Sequence, residues 1–213
     1  MSGARRRGAL LTVEGVEGAG KTTQAARLVD ALRSSGREAV LTREPGGTEL
    51  GRDIRRMLLA LDGETPAPES ELLLYLADRA QHVRRLVAPA IERGAIVVAD
   101  RFSDSTIAYQ VHGRGLPLDT VRTIDDFARG GVAPLLTFVL DLDPEVGLSR
   151  ARATGPADRL ESEAIAFHRR VRDGFRRIAA ASPDRVVVLD ALRPAEDLSR
   201  EIAAVSQARL GEP

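Results

Sequence analysis

One string of eight residues constrains this chain more than any other feature. Gly15, Val16, Glu17, Gly18, Ala19, Gly20, Lys21 and Thr22 satisfy G-x-x-x-x-G-K-[ST] at every position. The string follows an apolar run, 10–14, that reads as a strand, and it opens a stretch, 21–34, that reads as a helix. Such a loop needs that context. Its glycines let successive backbone N–H groups curl round one anion, and the helix N-terminus adds its dipole. Lys21 then reaches the terminal phosphates of a nucleotide as a point charge, and the Thr22 hydroxyl is placed to ligate Mg2+. The candidate ATP-binding segment is therefore Gly15 through Thr23.

Composition sharpens this reading. Lys21 is the only lysine in a chain with 31 Lys and Arg, as expected where only a compact ammonium on a flexible stem will serve. The 31 Asp and Glu bring the net charge to zero, which argues against a nucleic-acid binder. The absence of cysteine excludes disulfides and any Cys-based metal site or nucleophile, and His82, His112 and His168 show no metal-ligand spacing. The first seven residues are basic like a signal n-region, but the apolar stretch 9–13 is too short for an h-region. No apolar run approaches the roughly 20 residues that span a bilayer. A cytoplasmic protein is expected.

Short apolar runs alternate with amphipathic stretches. Strands are predicted at 10–14, 39–42, 95–99, 135–140 and 185–189. Helices are predicted at 21–34, 50–61, 70–93 with Ser70 as cap, 103–112, 118–129, from Pro144, 161–181 and 195–210. This alternation implies an α/β fold: a five-stranded parallel sheet flanked by helices on both faces, as one domain, 1–213. The arginine run from Arg169 to Arg177 falls within a helix and reads as a solvated face.

A GTPase switch would carry Asn-Lys-x-Asp, which needs a second lysine, and a motor or transporter ATPase normally brings a larger chain. A small kinase remains. The chain resembles thymidylate kinases, the P-loop nucleoside-monophosphate kinases of dTMP, over nearly its whole length. The resemblance lies in 14–23, in Thr42-Arg-Glu-Pro-Gly-Gly-Thr48, in Leu76-Ala-Asp-Arg79, in 100–110 (Asp-Arg-Phe-Ser-Asp-Ser-Thr-Ile-Ala-Tyr-Gln) and in Leu140-Asp-Leu-Asp-Pro-Glu-Val-Gly147.

Such an enzyme holds a dianionic acceptor phosphate against ATP, so arginines should converge from several elements. Arg101 follows a buried strand end, where open α/β sheets bind ligands; Arg43 ends another strand and Arg55 lies on the helix after it. The resemblance implies that Arg55 and Arg101 hold the acceptor phosphate and that Arg79 reads the thymine edge. Tyr75, one turn before Arg79, is placed as a stacking plate. The resemblance also implies that Thr106 and Gln110 surround the base and that Tyr109 crowds the 2′ face of the sugar. Asp100, closing an apolar strand, is the expected Mg2+ carboxylate, with Asp141 its rival. Glu17 is the oddity, since a carboxylate beside polyphosphate is repelled unless it faces something else. It either points into solvent or reaches the acceptor's sugar hydroxyl or a metal-bound water; the second is preferred.

By resemblance a lid is expected at about 150–160. The loop has no cation beyond Lys21, because Val16, Glu17 and Ala19 fill its variable places. The lid should therefore supply one: Arg152 first, with Arg150 and Arg159 as rivals. Thr154-Gly155-Pro156 departs from the family's lid pattern. The expected catalytic set is Lys21, Arg101, Arg152 and Glu17. The implied reaction is direct in-line transfer, ATP + dTMP → ADP + dTDP, with Mg2+ and no covalent enzyme intermediate. The resemblance further implies a homodimer, to which the helix 70–93 contributes. A kinase for another deoxynucleotide or a small metabolite, and a non-catalytic ATP-binding relative, are the alternatives.

Overall fold

Five strands form one sheet in the order β2-β3-β1-β4-β5, with every pairing parallel. They are β1 (Ala9–Gly15), β2 (Ala39–Arg43), β3 (Ile96–Asp100), β4 (Pro134–Asp141) and β5 (Val186–Asp190) in a computed structural model that describes residues 8–153 and 155–211. The basic stretch 1–7 and Thr154, in the segment expected to be a lid, lie outside the described residues. The inner strands are apolar on both sides because both faces are covered: all five residues of β3 are buried. The edge strands are less fully covered, leaving Leu41 and Val188 half exposed. One face packs Leu11, Val13, Phe138 and Leu140 against helices, among them Phe167, Val171 and Phe175; the other packs Leu10, Val97 and Ala99 against Val83, Val87 and Phe102.

The helices are α1 (Lys21–Ser34), α2 (Glu49–Leu59), α3 (Pro68–His82), α4 (Ala88–Glu92), α5 (Ser103–Thr106), α6 (Leu118–Arg129), α7 (Pro144–Arg152), α8 (Ile165–Ala181) and α9 (Ala195–Leu210). Three features differ from the sequence reading. α3 starts at Pro68 rather than behind a Ser70 cap, because proline's fixed φ suits the first helical position. The helix expected over 70–93 widens into a π turn at Val83–Val87, and the one expected over 103–112 becomes π-helical at Ile107–Gly113. The helix expected from 161 begins only at Ile165, since the preceding segment is drawn onto α3 by side-chain contacts described below.

From β1 the chain runs to β2 on one side, then crosses from β3 back over β1 to β4. The crevice at such a switch point, outside the carboxyl ends of the strands, is where open α/β sheets bind ligands. Register brings those ends level: Arg43 and Val13 both pair with Asp100, and Gly15 with Leu140. Most of the α8 arginine run is solvent-facing as expected, though Arg172 is half buried against Asp141. Among the described residues no helix is long and apolar enough to cross a membrane.

Candidate active site

The loop from Gly15 to Gly20 joins β1 to α1 in the expected geometry. Gly18 has φ +67°, and a Cβ there would sit 2.0 Å from the Gly147 carbonyl oxygen. A Cβ at Gly147 would meet the Glu17 carbonyl oxygen at 2.3 Å. Two glycines thus let α7 rest backbone-to-backbone on the loop. Lys21 folds back so that Nζ donates to the Val16 carbonyl at 2.6 Å. Burial, reinforced by Arg101, pushes its ammonium down to about 8. The cradle therefore holds a cation at a cost that an anion would offset.

The Thr22 hydroxyl lies 2.5 Å from Asp100 Oδ2. Two hard oxygens converging at the end of the loop suit Mg2+, which favours a few protein oxygens completed by water and phosphate. The rival Asp141 is taken: both its oxygens accept hydrogen bonds from Arg172, and Oδ2 also from Arg176. Among the described residues no cluster of three His, Cys, Asp or Glu could hold a metal, so the Thr22–Asp100 pair is the candidate.

Arg101 carries φ +74°, a left-handed conformation that a non-glycine residue occupies at a cost. Its Nη1 donates to the Gly15 carbonyl and to Ser105 Oγ, each at 3.0 Å, and Nη2 reaches Glu17 Oε1 at 3.3 Å. The guanidinium stacks over Tyr109, 4.9 Å from the ring centroid. Glu17 does not point into solvent: it is 8% exposed and lies on the lining of the cavity described below. Its Oε1 accepts from Tyr109 Oη at 2.5 Å, and Oε2 contacts His168 Nδ1 at 3.2 Å. Burial opposes its charge, yet His168, Arg101, Lys21 and Tyr109 together hold its carboxyl down at about 2. Glu14, beneath the loop, goes the other way: burial and Asp104 push it up to about 7.

Beside the loop a cavity opens between β2, α2, α3 and the π-helical segment. It is lined by Arg43, Arg55 and Arg101 together with Tyr75, Arg79, Thr106, Tyr109 and Gln110. Burial, then Arg43, depress the Arg55 guanidinium, so these cations repel one another across space suited to a phosphate dianion. Arg79 is 2% exposed and does more than line the wall. Its Nε donates to Glu44 at 2.9 Å, and Nη1 to Thr106 at 2.8 Å and to Asp125 at 2.5 Å. The Thr106 hydroxyl therefore serves to hold Arg79. Arg79→Ala would strip a shared cation from two buried carboxylates, and we expect a loss of about 3–5 kcal/mol in stability besides any loss of ligand. Urea unfolding at wild-type midpoint would show that Glu44 and Asp125 need no such cation.

The structure separates the three arginines of the expected lid. Arg159 is buried, with Nε donating to the Leu58 carbonyl at 2.7 Å and Nη2 to Glu71 at 2.5 Å, and is a structural anchor. Arg150 donates to the Ala191 carbonyl at 3.2 Å. Arg152 is exposed and makes no hydrogen bond or ion pair among the described residues. None of the three lines the cavity; Asp158, Leu160 and Glu161 of the same segment do.

Sequence reasoning missed His168, Glu71, Glu44 and Asp125. His168 was legible in one respect: with Val171 and Phe175 it falls on the i, i+3, i+7 stripe that α8 buries. The others act through partners 35 to 88 residues away, which no local spacing reveals.

The family model described as Thymidylate kinase matches residues 13–202. The chain is 52% identical over 201 residues to a thymidylate kinase of Deinococcus radiodurans, covering 94% of this chain and 97% of that one. It is 50% identical over 200 residues to one from a Synechococcus strain, covering 94% and 95%. A crystal structure of thymidylate kinase from Ehrlichia chaffeensis superposes with a TM-score of 0.77 at 33% identity, covering 94% of this chain and 99% of that one.

Proposed function

The chain belongs to the thymidylate kinase family, and from that premise we infer that it transfers the γ-phosphoryl group of ATP to dTMP, giving dTDP for nucleotide synthesis. The observation that carries this reading is the convergence of Arg43, Arg55 and Arg101 on a cavity adjoining the phosphate loop. Three cations beside a triphosphate cradle are wasteful unless a second phosphate sits between them.

Each residue then has a role. The loop from Gly15 to Thr23 holds the ATP phosphates, with Lys21 at the β/γ end. Arg55 and Arg101 hold the acceptor phosphate in line, and the strained backbone of Arg101 keeps its guanidinium at the strand end. A phosphate monoester has its second pKa near ~6, so dTMP arrives largely dianionic at pH 7 and no general base is required. Tyr75, Arg79, Thr106 and Gln110 surround the base. Tyr109, fixed by Glu17, narrows the site on the 2′ side of the sugar. Arg152 approaches when the lid closes. Mg2+ fits the Thr22 and Asp100 oxygens, and when bound it neutralises charge on the transferring phosphates.

The chain acts as a single kinase domain, in the cytoplasm, with no nucleic-acid or membrane partner, and as a homodimer. What supports the dimer is a set of uncovered apolar side chains on three helices packed side by side: Met57 on α2, Leu73 on α3 and Phe127 on α6, the last 89% exposed. Phe127→Glu should convert a dimer to a monomer in sedimentation velocity. A wild type that sediments as a monomer would overturn the dimer.

The test of function is a phosphoryl-acceptor screen with Mg·ATP over nucleoside monophosphates and small phosphorylated metabolites. ADP release should be fastest with dTMP. Binding of ATP without transfer to any acceptor would overturn the reading.

A further inference from the structure

Glu71 is 1% exposed and sits on α3, one turn before Tyr75. Four N–H groups from three residues converge on it. Gln110 Nε2 donates to Oε1 at 2.9 Å. Arg114 donates through Nε to Oε1 at 3.1 Å and through Nη2 to Oε2 at 2.9 Å. Arg159 Nη2 donates to Oε2 at 2.5 Å. Two guanidinium groups beside a buried carboxyl keep it ionised, and its ordinary range is lowered although burial acts the other way. An ionised carboxylate only accepts.

The consequence falls on Gln110. An amide can present either end, but here turning it round would set Oε1 against Glu71 Oε1, acceptor on acceptor, in a buried place. The NH2 end is therefore committed to Glu71. Oε1, which accepts no hydrogen bond from the described residues, is left for the cavity that Gln110 lines. Arg79 is fixed in a complementary way. Its Nε and Nη1 are taken by Glu44, Thr106 and Asp125, and Nη2 is the donor nitrogen without a partner among the described residues. Arg79 is tied to Thr106, four residues before Gln110, so one cavity is offered both a fixed acceptor and a fixed donor.

We propose that Glu71 sets which pyrimidine this kinase accepts, by holding the Gln110 amide with its oxygen toward the base. A thymine or uracil edge carries a ring N–H beside a carbonyl oxygen and matches an acceptor beside a donor. A cytosine edge carries a bare ring nitrogen beside an amino group and mismatches both. Glu71 touches no substrate in this scheme; it is a positioning residue. The proposal rests on dTMP as acceptor, the reading given above.

The test is Glu71→Gln, with kcat/KM and calorimetric affinity measured for dTMP and dCMP. A glutamine at 71 can donate as well as accept, so the Gln110 amide is free to turn. The dTMP-to-dCMP ratio should fall by about tenfold or more, partly through gain of dCMP, because discrimination between hydrogen-bonding edges depends on the fixed partner. Glu71→Asp keeps the charge that Arg114 and Arg159 need but retreats from Gln110; it guards against a failure to fold and should give an intermediate ratio. If both nucleotides weaken equally and the ratio stays at the wild-type value in either folded variant, Glu71 is a structural anchor only and the proposal fails. A wild type that phosphorylates neither pyrimidine would remove instead the reading beneath it.

Discussion

Lys21→Ala should abolish phosphoryl transfer, by ~10³-fold or more, and should leave the fold at least as stable as it was. Both halves follow from the same environment. The ammonium is 8% exposed and folded into a loop with the Val16 carbonyl 2.6 Å away, where the proposed function puts the terminal phosphates of ATP. Nothing else in the loop carries positive charge. Burial pulls its proton affinity down to about 8. The native state therefore binds that proton more weakly than the unfolded chain. Below pH 8 the charge costs the empty fold stability, and the cost fades as pH rises from about 8 to 10.5. At pH 7 the alanine variant should melt no lower than wild type, and its stability should rise less between pH 8 and 10.5. Lys21→Arg should also fail, because a planar guanidinium with five donors cannot enter a cradle that closes on a single Nζ. A coupled assay of ADP release, run beside thermal unfolding, checks both variants. Turnover within tenfold of wild type in either would mean that the loop does not bind the transferring phosphate.

The phosphate loop was legible because everything it needs is local: glycines, one lysine and a threonine within eight residues, between a strand and a helix. The strands were legible for a similar reason, since apolar runs of five residues covered on both faces have few other fates. The cavity was legible in part. Arg55, Arg101, Tyr75 and Gln110, which the resemblance groups at one site, all line it, but Arg79 also carries a buried network that no reading of one helix could foresee. Its partners Glu44 and Asp125 lie 35 and 46 residues away. The π-helical segments were invisible, because an extra residue in a single turn barely disturbs a 3.6-residue pattern over five to seven positions. The late start of α8 at Ile165 has the same origin as the Arg159 anchor. Arg159 and Glu163 are held by Glu71 and Arg114, and these long-range pairs override whatever helical preference 161–164 has.

The lid carries the other large effect. Arg152→Ala should lower kcat by ~10²–10³ while KM for ATP and dTMP stays within a few-fold. The loop's variable places hold Val16, Glu17 and Ala19, so a phosphoryl group in flight has Lys21 and the acceptor-side arginines but no further cation from the donor side. The lid segment has three arginines, and two are engaged elsewhere: Arg159 by Glu71 and Leu58, Arg150 by the Ala191 carbonyl. Arg152 is free among the described residues and ends α7, the helix whose Gly147 rests against the Glu17 carbonyl. Five residues of helix put it about 7.5 Å along the axis from that contact, within reach of a long side chain once the lid closes. A group that meets its target only on closure favours the transition state over the bound ground state, which is why the loss belongs in kcat. The neighbours supply the contrast. Arg150→Ala should change kcat by less than Arg152→Ala does. Arg159→Ala should lower the melting temperature, since it strips a buried partner from Glu71. Steady-state kinetics and thermal unfolding on the three variants separate these outcomes. Wild-type turnover in Arg152→Ala would place the missing cation on another element, and the cavity's own Arg43, whose side no lid needs to close, would then be the one to remove next.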